Sequence, residues 1–145
     1  MVTEPLDVES LNQAAGDTPW TGMPGGTVIG HVHLHVRDSG EASRFYHEAL
    51  GLDLMAWSYP GALFMSAGGY HHHLATNIWA GMGALPPAKD EAQLLSWELV
   101  VPTDEAVKAA AKSLEGAGGK AEAAGDGVVA IADPSGTIVR LVPAR

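Results

Sequence analysis

The chain has 145 residues, 46% of them hydrophobic, which suits one globular domain or two small modules with a shared core. Its 17 acidic and 8 basic residues give a formal net charge of -9, which argues against nucleic acid and membrane surfaces as partners. The absence of cysteine excludes disulfides, thiolate zinc sites and a cysteine nucleophile. With no signal-like N-terminus and no apolar run of about 18 residues, we expect a cytoplasmic protein.

An N-terminal arm or linker is predicted for residues 1–26, which mix polar residues with Pro and Gly. The first module, residues 27–80, opens with alternating apolar and histidine residues, the period of two that is typical of a strand. A helix follows, with Asp38 as its N-cap and Gly51 as its stop. Three further strands are predicted between Pro-Gly and Gly-Gly turns, at residues 52–58, 62–67 and 71–79.

The second half repeats this plan over residues 94–145, after a Gly/Pro linker at 81–93. A shift of 65 residues places Leu99 on Leu34, the capping residue Thr103 on Asp38 and Gly116 on Gly51. The second helix is predicted from Asp104 to Leu114, and its strands at 120–124, 127–132 and 137–142. The sequence therefore predicts an α+β protein made of two βαβββ modules.

Six of the seven histidines lie in two short segments, His31–Val36 (HVHLHV) and Tyr70–His73 (YHHH). Successive strand side chains alternate faces, so His31, His33 and His35 are expected on one side, at steps of about 6.6–6.8 Å. Imidazole binds iron, manganese and zinc and also transfers protons near neutral pH. Given these steps, at most one or two members of this row can bind the same metal.

In the second histidine segment, it is open which side chains face the same side of the sheet. In a regular strand, His71 and His73 share one face and His72 takes the other. A bulge after Gly68 and Gly69 would change that phase. The sequence alone does not choose between the two arrangements.

Four motifs of the chain belong together: GHVHLHVRD at 30–38, Phe45-Tyr46, Leu50-Gly51 and DPSG at 133–136. In combination they resemble the vicinal oxygen chelate superfamily, which includes glyoxalases, bleomycin resistance proteins and extradiol ring-cleaving dioxygenases. The run ALFMSAGGYHHH at 62–73 is similar to the C-terminal half of two-part catechol 2,3-dioxygenases. The resemblance implies that the modules pair into a curved, half-barrel-like mixed sheet with a pocket for a divalent metal and a small ligand.

The same resemblance implies roles for individual residues. His31 occupies the first-strand ligand position, whereas Ser96 stands at the corresponding position of the second module. Arg140 stands where the family has its last-strand glutamate, and a guanidinium cannot bind a metal. His73 aligns with Arg140 as a second candidate ligand, and comparison with the dioxygenases favours His72 as the acid/base.

The leading hypothesis is a dioxygenase-like or glyoxalase-like protein that binds Fe, Mn or Zn through His31 and His73. The residues expected to contact a small oxygenated or aromatic ligand are His33, His35, Ser96 and Arg140. One alternative is a metal-free, ligand-sequestering module that uses Ser96 and Arg140. Another is a half-enzyme, since relatives carry an N-terminal half. We therefore expect a homodimer or pairing with a related N-terminal half.

Overall fold

A computed structural model describes residues 4–88 and 90–145. The first module contains β1 (Val32–His35), α2 (Ser39–Ala42), a π-helical segment (Ser43–Ala49), β2 (Asp53–Ala56), β3 (Ala62–Ser66) and β4 (Leu74–Asn77). The second contains β5 (Ser96–Val101), α3 (Asp104–Gly116), β6 (Ala121–Ala123), β7 (Val129–Ala132) and β8 (Ile138–Pro143). A helix in the N-terminal arm, α1 (Val8–Ala15), precedes both.

The eight strands form two four-stranded mixed sheets of the same design. Their orders are β1-β4-β3-β2 and β5-β8-β7-β6. In each sheet the first and last strands of the module run parallel, and the other neighbours are antiparallel. The predicted α+β class and the repeated βαβββ order are therefore confirmed.

Both module helices begin at the capping residues that the sequence predicts. The Asp38 carboxylate accepts a hydrogen bond from the Glu41 amide at 2.7 Å. The Thr103 hydroxyl oxygen accepts one from the Ala106 amide at 3.2 Å. Each cap satisfies an amide that has no partner within its helix.

The first helix widens into a π-helix in its second half. The Leu50 amide donates to the Phe45 carbonyl oxygen, five residues back, at 3.0 Å. Phe45 and Tyr46 are both buried, with 5% and 0% of their surfaces exposed. The helix ends at Gly51, whose φ of 89° is in the left-handed region that favours glycine.

One hydrophobic core joins the two modules. Its buried members come from both helices and from both sheets; the largest are Tyr46, Met65, Leu74, Leu114, Ile131 and Leu141. The Tyr46 hydroxyl donates to Asp133 Oδ2 at 2.8 Å, which links the first helix to the turn before β8. The core therefore fixes the modules relative to each other on the side where the helices lie.

The structure corrects two predicted elements. The arm contains the helix α1, capped by Asp7, although none of its residues is buried. The last strand of the first module begins only at Leu74, so residues 71–73 precede it as an irregular segment. None of the helices in residues 4–88 and 90–145 is long and apolar enough to cross a membrane.

Candidate functional site

The side chains of β1 divide between the core and the opposite face of the sheet. Leu34 and Val36 are buried in the core, whereas His31, His33 and His35 are exposed. This alternation agrees with the histidine row that the sequence predicts. The row lies on the sheet face that is turned away from the helices.

Three histidines come together at the start of β1. The ligand nitrogens of His31, His71 and His72 all lie within 4.8 Å of one another. The His72 ring lies 4.5 Å, centroid to centroid, from each of the other two rings. His72 is only 8% exposed, while the other two reach solvent. We call these three residues the histidine cluster.

The irregular segment before β4 allows two consecutive histidines to join this cluster. Gly68 and Gly69 have φ values of 66° and 75°, which side chains with a Cβ rarely adopt. The turn they form precedes His71 and His72, which lie outside the strand. Strict alternation would have sent them to opposite faces. For this reason His71 is not among the ligands expected from the sequence. The sequence feature that could have indicated it is the possible bulge after Gly68 and Gly69.

The donor chemistry of the cluster fits a divalent metal. Nitrogens bound to one tetrahedral metal at about 2.1 Å are roughly 3.4 Å apart, so small side-chain adjustments would close the observed spacing. Burial lowers the pKa of His72, and the neighbouring His31 and His71 lower it further. A lowered pKa favours the neutral imidazole, which is the form that binds a metal.

His73 is held differently. Its Nδ1 lies 3.0 Å from the Ser66 hydroxyl oxygen and accepts a hydrogen bond from the Ala67 amide at 3.3 Å. A backbone N–H can only donate, so the proton of a neutral His73 ring is on Nε2. The ring stacks on Tyr70, with centroids 4.7 Å apart. The structure does not place His73 in the histidine cluster.

Beyond the cluster, the same face continues as a wall of aromatic rings. We define the aromatic wall as Tyr59, Phe64 and Trp79. Phe64 lies 5.1 Å from the His72 ring and 6.1 Å from the His33 ring, and Trp79 lies 5.4 Å from His33. Tyr59 contacts both of its wall partners, at 5.9 and 6.1 Å. Phe64 is buried and Trp79 is 52% exposed, so a planar ligand near the cluster would meet mainly the Trp79 ring.

Two cavities open beside the histidines. One of about 420 Å³ is lined by His33 and His35, by the linker at 84–87 and by the turn at 135–137. The other, of about 250 Å³, lies between His31 and His73 on one side and β5 on the other. The first is of the size that small-molecule sites have. His33, which lines this first cavity, has a pKa that burial and the neighbouring His35 and His31 lower.

Comparison with known proteins identifies the family. A family model described as the Glyoxalase/Bleomycin resistance protein/Dioxygenase superfamily matches residues 28–141. The chain belongs to this superfamily.

Solved structures agree at the level of the fold. A lactoylglutathione lyase from Agrobacterium tumefaciens has a TM-score of 0.59 and 14% identity, over 83% of this chain and 96% of that one. The fosfomycin resistance protein FosX from Mesorhizobium loti has a TM-score of 0.58 and 14% identity, over 85% and 95%.

A curated relative is closer in sequence. It is named catechol-2,3-dioxygenase, comes from Bacillus subtilis (strain 168), and is 44% identical over 120 residues. The matched part is 81% of this chain and 42% of that protein. The chain therefore spans less than half the length of this superfamily relative.

Ser96 and Arg140 lie on neighbouring strands of the second sheet, where Ser96 pairs with Ile138 and Arg140 pairs with Glu98. They are the two positions at which the sequence departs from the expected ligand pattern. Ser96 is exposed at the start of β5. Arg140 Nε is 3.2 Å from Glu98 Oε1, and their side chains are 34% and 59% exposed. Neither Ser96 nor Arg140 lines the two cavities beside the histidines. Because Glu98 partly neutralises Arg140, the guanidinium is a weaker anchor for an anionic ligand than the sequence alone indicated.

Proposed function

We propose that the chain binds a divalent metal through His31, His71 and His72 and holds a small oxygenated or aromatic ligand beside it. The proposed role is that of a dioxygenase-like or glyoxalase-like module. The observation that carries this proposal is the histidine cluster, three imidazoles with ligand nitrogens within 4.8 Å of one another. The relative named catechol-2,3-dioxygenase, at 44% identity, supports the dioxygenase-like form of it.

The proposed ligand set differs from the set expected from sequence. His31 keeps the ligand role, His71 and His72 replace His73, and His72 binds metal instead of acting as the acid/base. A bound metal would act as a Lewis acid toward the ligand's oxygens. His72 is the least exposed member of the cluster and packs against Phe64, so its ring is the most confined of the three.

The other residues of the site would orient the ligand. Trp79, the most exposed member of the aromatic wall, offers its ring to a planar group, and His33 offers a polar contact next to it. Fe²⁺, Mn²⁺ and Zn²⁺ all accept imidazole ligands, so the three histidines do not select one of these metals. Which metal is bound would depend on its availability and on the ligands at the remaining coordination positions. Iron or manganese would suit ring cleavage, and zinc would suit isomerisation.

Metal titration tests this proposal. Protein without a His tag should bind one Zn²⁺, Mn²⁺ or Fe²⁺ per chain by calorimetry. His31→Ala, His71→Ala and His72→Ala should each weaken binding by more than about a hundredfold, the upper range for changes at residues that only support ligands. His35→Ala is the matched control, because His35 is exposed on the same strand but lies outside the cluster. Equal losses in the control and the cluster variants would contradict the proposal.

The matched relative is more than twice as long as the region shared with this chain, so we also propose that activity needs a partner. The partner would be a second copy of the chain or a related N-terminal half. Native mass spectrometry of the metal-loaded protein reports the oligomer directly. Catechol consumption by the Fe²⁺-loaded chain, alone and mixed with such a half, then separates a complete enzyme from a half-enzyme.

A further inference from the structure

Asn77 is a buried polar residue of β4 that lies against the His33 ring. It is 2% exposed, and its side-chain amide makes two hydrogen bonds. Asn77 Nδ2 lies 2.8 Å from His33 Nε2, and Asn77 Oδ1 lies 3.0 Å from the Trp79 backbone nitrogen. The amide is thus fixed at both ends.

The contact with the Trp79 backbone determines which end of the Asn77 side-chain amide is the oxygen and which is the nitrogen. A backbone N–H can only donate, so the atom that faces it must be the amide oxygen of Asn77. The NH₂ group of Asn77 must then face His33 and donate to Nε2. A nitrogen that accepts a hydrogen bond carries no proton, so a neutral His33 ring carries its proton on Nδ1.

We propose that Asn77 is a positioning residue that holds His33 in its neutral Nδ1–H tautomer, so that His33 donates a hydrogen bond to a ligand oxygen. In this state Nε2 is already occupied, so His33 acts as neither a metal ligand nor a base through that nitrogen. The described residues give the His33 ring no second hydrogen-bond partner, and its side chain is exposed beside the cavity of about 420 Å³.

The position of His33 indicates which ligands it would bind. His33 is two strand residues from His31, a step of about 6.6–6.8 Å. Phe64 packs against both His33 and the cluster residue His72. Phe64 itself is buried, so a ligand held at the cluster would pass over it and present an oxygen to His33. A fixed N–H donor selects an acceptor, which means a phenolate, carboxylate or carbonyl oxygen and not an ammonium group. This ligand role depends on the proposed function, whereas the tautomer does not.

Nitrogen NMR of the histidine rings tests the tautomer. In ¹⁵N-labelled protein at pH 8, with and without EDTA, His33 should show an unprotonated Nε2 and a protonated Nδ1. His47 is an internal reference, because its Nδ1 lies 2.6 Å from the Leu52 carbonyl oxygen, which can only accept. In Asn77→Asp the carboxylate can only accept, so Nε2 of His33 should become protonated while His47 keeps its pattern. Thr76→Val, the neighbouring buried residue on β4, should leave both rings unchanged.

Affinity for 4-nitrophenolate tests the donor role. His33→Phe keeps a planar ring but removes the donor, and a hydrogen bond to a charged acceptor is worth about ten- to hundredfold in affinity. We expect that loss in His33→Phe and none in Thr76→Val, by absorbance titration of the Zn²⁺-loaded protein.

A wild-type His33 with its proton on Nε2, or no change at His33 in Asn77→Asp, would overturn the tautomer assignment. Unchanged affinity in His33→Phe would overturn the ligand role. The NMR measurement needs no metal, so failure of the cluster to bind metal would leave the tautomer result interpretable. A metal-loaded wild type that binds no 4-nitrophenolate would overturn the ligand role.

Discussion

The hydrogen bond between Tyr46 and Asp133 offers a direct test of how the modules are joined. Tyr46 lies in the first module with none of its surface exposed, and Asp133 lies in the second with 5% exposed. The hydroxyl donates to Asp133 Oδ2 at 2.8 Å. The other carboxylate oxygen accepts from the amides of Ser135 and Thr137, each at 2.9 Å. Tyr46→Phe removes the donor and leaves Oδ2 without its partner.

The expected loss of stability in Tyr46→Phe follows from the kind of hydrogen bond that is removed and from its burial. A hydrogen bond to a charged group contributes about 1.5–3 kcal/mol, and a buried acceptor left unpaired adds its desolvation cost. Asp133 keeps its two backbone donors, which places the expected loss in the middle of this range. We expect Tyr46→Phe to lower the free energy of unfolding by about 2 kcal/mol, a large part of the stability of a small domain.

Urea denaturation followed by tryptophan fluorescence measures this loss. The midpoint should fall with an unchanged m-value and a single transition, because both modules share the core. Tyr70→Phe is the control, since Tyr70 is 43% exposed; its effect should stay within about 0.5 kcal/mol. A Tyr46→Phe protein as stable as the wild type would refute the view that this bond ties the modules together.

Three other perturbations have expected outcomes. Gly119→Ala should cost about 1–3 kcal/mol in urea unfolding, because a Cβ there would lie 2.5 Å from Ile131 Cδ1; an unchanged midpoint would argue against tight packing at this turn. Thr76→Val should raise the unfolding free energy by about 1 kcal/mol, since the buried Thr76 hydroxyl has no partner among the described residues; a decrease would be contrary to that view. The free energy of unfolding should fall as the pH drops below about 6.5. Burial lowers the pKa values of His33 and His72 in the folded protein, so the unfolded chain takes up protons first. An equally steep dependence of the unfolding free energy on pH in a His33→Gln/His72→Gln variant would show that other groups are responsible.

Much of the fold could be predicted because its signals are local. Asp38 and Thr103 are capping residues, and in the structure both cap the module helices. Alternating residues gave the burial pattern of β1, with Leu34 in the core and His33 outside it. The helix α1 was missed because the Pro- and Gly-containing arm around it reads as a linker.

The site was harder to predict because its arrangement depends on a turn. The period of two applies only inside a strand, and His71 and His72 come before β4 begins. The positive φ angles of Gly68 and Gly69 turn the chain so that both rings reach His31. His73 shows a second limit. Its bonds are to Ser66 at the end of β3 and to Ala67 just after it, and no alignment of motifs reveals them.

X-ray absorption spectroscopy of the zinc-loaded, tag-free protein tests the central proposal most directly, because it counts the imidazoles bound to the metal. We expect three imidazole ligands at about 2.0–2.1 Å, falling to two in His71→Ala and remaining three in His35→Ala. A wild-type spectrum with one imidazole or none, or one that is unchanged in His71→Ala, would contradict a metal centre at His31, His71 and His72.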